Sequence, residues 1–167
     1  MPPSAKLLAL FMVMSLCSWG IIARVHIVPW IDRLSRRDAL LVVIAPQMFR
    51  TIGSMALFPG IGNPPPEWSV PLAWGDGMTS VLAMASMVAL HKSWAHATKL
   101  VWVASVFGLL DMLHNAYNSV RLVVAPHLGP IGYVVAFGVP LMFMLHVLAF
   151  RALLRPEASA ETESRAV

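Results

Sequence analysis

The chain has 167 residues, of which 58% are hydrophobic and only 12% charged, and its mean hydropathy is +0.72. This composition excludes an ordinary soluble domain and places the chain among polytopic membrane proteins, with length for five spans of about 20 residues and short connections. The formal charge of +4 does not point to nucleic acid, because the Lys and Arg residues flank apolar runs instead of forming a stripe, so no nucleic-acid partner is expected.

The first apolar run, Leu7 to Ile22, is read as part of span one, about 6–25. It is not read as a cleaved leader: no A-x-A-like site follows it, and its basic residues come after it. Cys17 within it is expected to pack as a small hydrophobe. The segment Arg24 to Arg37 alternates basic residues with Trp30, Ile31 and Leu34. It is read as a basic loop, with an interfacial piece on anionic headgroups as the alternative. Span two follows at about 38–58 and contains Pro46, which should kink it. Pro59 to Trp68 includes three consecutive prolines, predicting a stiff extended connection that either caps the outer end or serves as a plain linker. Spans three, four and five are placed at about 69–90, 98–120 and 130–153, with Pro140 inside the last. The expected domain is a five-helix transmembrane unit over 1–155, followed by a disordered cytoplasmic tail over 156–167.

All spans should be α-helical, since nothing alternates in the manner of an outer-membrane strand and a helix satisfies its own backbone in lipid. The fold class is therefore all-α, a multi-pass membrane helix bundle. Nine of the twelve basic residues fall in the loop after span one, the loop after span three and the tail, which predicts an N-out, C-in topology with an odd number of crossings. Trp68 and Trp74 are expected in an outer aromatic belt, and Trp30, Trp94 and Trp102 in an inner one.

Three spans carry a full charge in their interior: Arg50, Asp76 and Asp111. Each costs about 2.5 to 3.5 kcal/mol to insert on translocon scales, so each should be paired, hydrated or used. Helical rise puts all three at one level in the outer half of the bilayer. On span two, Gln47, Arg50 and Ser54 share a face beside Gly53; on span three, Ala73, Asp76, Ser80 and Ala83 form a stripe; on span four, Ala104, Gly108, Asp111, His114, Asn115 and Asn118 recur at three- and four-residue spacings. One Arg cannot neutralise two carboxylates, so a proton or cation should complete the set. The competing reading is a buried ion cluster that only sets helix register.

The candidate ligand- or proton-binding residues are thus Arg50, Asp76, Asp111, His114, Asn115 and Gln47, with no catalytic residue assigned. Two further chemistries fit parts of this residue set. Asp111 and His114 with Asp76 and Glu67 resemble an open metal set, which would make the protein an intramembrane metallohydrolase, although no H-E-x-x-H spacing occurs. His91 with His146 is the one histidine pairing worth testing for haem b. No cofactor is favoured.

Trp74-Gly75-Asp76, Phe107-Gly108-Leu109-Leu110-Asp111 and Asn115-Ala116 resemble motifs of a group of small bacterial multi-pass inner-membrane proteins of unassigned function, over about residues 45–150. The resemblance implies a bacterial inner-membrane setting and adds no chemistry. The expected function is non-enzymatic: binding, and in the fuller form passage, of a small polar or cationic solute. The alternative is an accessory subunit of a larger membrane complex. Partners in either case are the bilayer and a second copy or other membrane subunits.

Overall fold

The computed structural model describes residues 2–156, and these form five long helices and no strand. The tail expected to be disordered lies, from 157 onward, outside the described residues.

Helix α1 runs from Pro3 to Ile31, six residues beyond the span expected from the sequence. Arg24 to Ile31 therefore continues the helix and is not a loop. A π-turn over Ala23–Ile27 precedes Pro29, and the Val28 N–H reaches back to the Ala23 carbonyl. Widening the helix in this way accommodates a ring that would otherwise meet the carbonyl four residues earlier. None of Pro3–Ile22 is buried, and Cys17 is exposed instead of packed.

Helix α2 begins at Arg36, where Ser35 accepts from the Asp38 N–H and donates to the Asp38 carboxylate, a compact N-cap. At Ala45 it changes from α to a 3-10 helix that runs to Leu57. Pro46 therefore alters the pitch where a kink was expected. A 3-10 helix rises about 2.0 Å per residue against about 1.5 Å for an α-helix, so the 22 residues of α2 reach about as far as their longer neighbours. It also has three residues per turn, which stacks Gln47, Arg50, Gly53 and Ala56 in one row.

Helices α3 (Pro66–His91), α4 (Ala97–Arg121) and α5 (Ile131–Leu153) complete the bundle. The 3-10 part of α2 packs most extensively on α3, and α3 on α4, while α1 pairs with α5. At one end all five helices close around Ile31, Leu40, Ile44, Leu90, Val101 and Leu148. At the other a smaller cluster of Ala56, Trp68, Val124, Leu128 and Ile131 holds the connections. There the proline-rich segment is tied to the α4–α5 connection by Asn63 N–H donating to the His127 carbonyl at 2.8 Å. Gly62 is required at this contact, since a Cβ would stand 2.5 Å from the Leu128 carbonyl oxygen.

The closed end is stitched by arginines that cap helix C-termini. Arg37 donates to the carbonyls of Leu90 and His91 at 2.8 and 2.7 Å, Arg36 to Leu153 at 2.7 Å, and Arg155 to Ile31 and Asp32 at 3.1 Å each. Arg151 pairs with Asp32. Basic residues from which the topology was expected thus satisfy the orphan carbonyls of α1, α3 and α5. Replacing Arg37 by Ala is expected to cost about 1 to 3 kcal/mol and to expose the α3–α4 turn, seen as faster proteolysis at 92–96; an unchanged cleavage rate would show that water serves these carbonyls equally well.

Four of the five helices, α1, α2, α4 and α5, are long and apolar enough to cross a membrane. Helix α3 is not among them, because its inward face carries Ser69, Asp76, Thr79, Ser80 and Ser86. Its outward face presents Trp74, Met78, Val81 and Val88. Polar residues inside and apolar ones outside invert the arrangement of a water-facing helix and suit a lipid surround.

Candidate functional site

Arg50 sits at the centre of the α2–α3–α4 group with its side chain buried. Its Nε donates to Asp76 Oδ1 at 2.7 Å, its Nη2 approaches the same oxygen at 2.6 Å and Asp111 Oδ2 at 2.7 Å, and its Nη1 donates to the Gly108 carbonyl at 2.8 Å. Every guanidinium nitrogen is engaged. The two carboxylates, expected at one level from helical rise alone, share this one cation.

Three glycines make the contact possible, one from each helix. The Asp76 carboxylate occupies the space a Cβ at Gly53 would need, and the Asp111 carboxylate the space a Cβ at Gly75 would need. At Gly108 a Cβ would stand 2.7 Å from Thr79 Cγ2 and 2.9 Å from Arg50 Nη1 and His146 Cε1. Each helix therefore gives up a side chain so that the neighbouring charged group can enter.

Asn115 holds Asp111 in place, donating from Nδ2 to Oδ1 at 2.9 Å and to the backbone carbonyl at 3.0 Å. Thr51 N–H donates to Ser80 Oγ at 3.0 Å, locking the 3-10 row of α2 to α3. Ser54, expected beside Arg50 on an α-helical face, instead donates to the Thr51 carbonyl; the 3-10 pitch rotates it off the row. Gln47 lies one turn below Arg50, 2% exposed, with neither amide atom bonded to a described residue.

His114 does not join the cluster. It is exposed on α4 and pairs through Nε2 with Asn118 Nδ2 at 2.8 Å. At about 100° per residue, Asn115 and Asn118 stay near the buried meridian shared by Ala104 and Gly108, whereas His114 falls to its edge. The histidine that does meet the cluster is His146 of α5, buried, with Nε2 3.5 Å from Arg50 Nη1. Ala149, three residues on, is buried on the same side of α5, but an apolar run on all sides marks no inward face in the sequence.

His91 is exposed at the C-terminus of α3, fifteen residues or about 22 Å along the helix from Asp76, so it does not share a level with His146 as a haem pair would need. Glu67 is exposed in the first turn of α3. Among the described residues no three His, Cys, Asp or Glu side chains converge as a metal set; Arg50 lies between the two acids. Trp68, expected in the outer belt, is buried and donates to Ser119 Oγ at 2.7 Å, whereas Trp74 is exposed.

Above the ion cluster, between the α1–α5 pair and the α2–α3–α4 group, lies a cavity of about 550 Å³. Its walls are almost wholly apolar. Arg50 and Asp76 line it at the level of the cluster, with Asn115 and Ser119 higher on α4.

Residues 7–154 match a family described as Domain of unknown function (DUF8737). The chain belongs to that family. The match is wider than the region over which the motifs suggested a resemblance, taking in α1 and the end of α5. No curated protein and no solved structure matches the chain.

Proposed function

We propose that this DUF8737 protein is a multi-pass membrane protein that binds a small polar or cationic solute at the Arg50–Asp76–Asp111 cluster. One observation carries the reading: a single guanidinium is shared by two carboxylates beside a 550 Å³ cavity, leaving one negative charge to be completed by the solute or a proton. Arg50 is the electrostatic anchor, Asp76 and Asp111 are the responsive acids, and Asn115 orients Asp111. We place all five helices across a bacterial inner membrane, N-out and C-in. The inverted polarity of α3 supports its being the fifth span, and the basic residues gathered at the closed end support that end as cytoplasmic. Passage of the solute is the fuller form of the same reading.

The test is binding of radiolabelled methylammonium to purified protein across pH. Asp111→Asn leaves Arg50 and Asp76 as a neutral pair, so the variant is expected to insert and fold but to lose the pH response and most of the binding. Unchanged binding with an unchanged pH response would assign Asp111 a packing role only.

A second reading, an accessory subunit, is favoured by α1, which packs on α5 along one side but buries none of Pro3–Ile22 fully, so its outward face is open to another chain. Purification in mild detergent separates the two. A stoichiometric foreign chain supports the subunit, and a self-dimer or monomer the binding protein.

A further inference from the structure

We infer that the solute is an amphiphilic organic cation, one positive head on an apolar body, with Asp76 as its counter-ion and the cavity as the seat of the body. The inference rests on the reading of the cluster as a binding site and narrows it.

Three observations define the ligand. The first is the balance of donors and acceptors. Arg50 spends Nε, Nη1 and Nη2 on Asp76, Gly108 and Asp111, so it has little left for an anionic head. Of the four carboxylate oxygens, Asp76 Oδ1 and Asp111 Oδ2 take Arg50, and Asp111 Oδ1 takes Asn115. Asp76 Oδ2 takes no hydrogen bond from any described residue. It lies over Gly53, and both residues line the cavity. Asn115, also on the cavity wall, has its Nδ2 committed to Asp111 and its Oδ1 enclosed. The polar atom left over beside the cavity, Asp76 Oδ2, is an acceptor, and the net charge of the cluster is negative, so the complementary head is a cation.

The second observation is the wall. Leu8 and Met12 of α1, Leu72 of α3, Met112 of α4, and Val135 and Met142 of α5 face the cavity. A small hydrophilic cation reaches the carboxylate but gains nothing from this surface, whereas an apolar body adds favourable contact with it. Methionines add a surface that adapts to ligand shape.

The third is size. A cavity of about 550 Å³ falls within the range that encloses a compact organic molecule and far exceeds what a metal ion or ammonium requires.

The experiment uses the full chain in mild detergent and two ions of nearly the same shape and opposite charge, tetraphenylphosphonium and tetraphenylborate, with methylammonium as the small cation. Equilibrium dialysis is run on the parent, on Asp76→Asn and on Gly138→Leu. Gly138 lines the cavity, a Cβ there would meet only Val134 Cγ1 at 3.8 Å, and the residue stands eight positions, about 12 Å along α5, from His146 of the ion cluster, so a larger side chain fills cavity space away from the cluster. Expected is saturable binding of tetraphenylphosphonium but not tetraphenylborate, weakened about tenfold or more in Asp76→Asn and in Gly138→Leu. Equal binding of both ions overturns the assignment of charge. Methylammonium bound unchanged in Gly138→Leu, with no tetraphenylphosphonium bound to the parent, overturns the amphiphile and leaves the small-solute reading standing. Binding of neither cation to folded parent protein overturns both. Because Gly138→Leu leaves the ion cluster intact, the test holds if Asp76→Asn fails to fold.

Discussion

Arg50→Met is expected to be the most damaging single substitution in the chain, costing roughly 3 to 5 kcal/mol, because it leaves Asp76 and Asp111 buried against each other without a cation. The Gly108 carbonyl and the neighbouring His146 lose their partner in the same step. Arg50→Lys should fall between parent and Met. A single ammonium cannot spread its charge over three directions as the planar guanidinium does, and one of Asp76, Asp111 and Gly108 would go unserved. Thermal unfolding in detergent, followed by the fluorescence of the six tryptophans, measures both. The triple change Arg50→Met, Asp76→Asn, Asp111→Asn is expected to recover much of the loss, since no uncompensated charge then remains. A triple variant as unstable as Arg50→Met would show that the shape of the cluster matters more than its charge. An Arg50→Met protein as stable as the parent would contradict the buried pairing itself.

Gly75→Ala and Gly77→Ala, two residues apart on α3, are expected to act in opposite directions. A methyl group at Gly75 takes the space of the Asp111 carboxylate, which must withdraw from Arg50 or push α3 and α4 apart. Overpacking of this kind costs about 1 to 3 kcal/mol, with a further loss if the ion pair opens. At Gly77 a Cβ meets nothing within 4 Å, so the change should stabilise the protein by up to about 1 kcal/mol through helix propensity alone. Gly108→Ala, facing Thr79, Arg50 and His146 together, is expected to behave like Gly75→Ala. Melting temperatures of the three alanine variants check this. If Gly75 and Gly77 respond alike, the close approach of Asp111 to α3 is not what holds α4 in place.

The positions of the charged side chains were legible because helical rise is a one-dimensional quantity. Counting residues from the ends of three spans suffices to bring Arg50, Asp76 and Asp111 to one level, and neither the π-turn in α1 nor the change of pitch in α2 disturbs that order. Which face each residue occupies is less secure. His114 and Asn115 are adjacent, and a rotation of a few tens of degrees decides which of them reaches Asp111. Ser54 leaves the Arg50 face because α2 holds a run of 13 residues in the 3-10 form; such runs are uncommon, and no residue pattern in α2 announces it except Pro46. Trp68 looked like a belt residue because amphipathic rings favour interfaces. A bond to Ser119, fifty-one residues away, decided otherwise.

By itself, the amino-acid sequence determined that the chain is helical and membrane-like and that its buried charges lie at a common height, because composition, length and rise per residue are local properties that tertiary contacts seldom reverse. Only the tertiary structure decided that three glycines admit the carboxylates and the guanidinium, that His146 and not His114 is the imidazole beside them, and that an apolar cavity opens next to Asp76. Those features depend on how far apart helices stand and how each is rotated about its axis, which side-chain packing between distant segments sets.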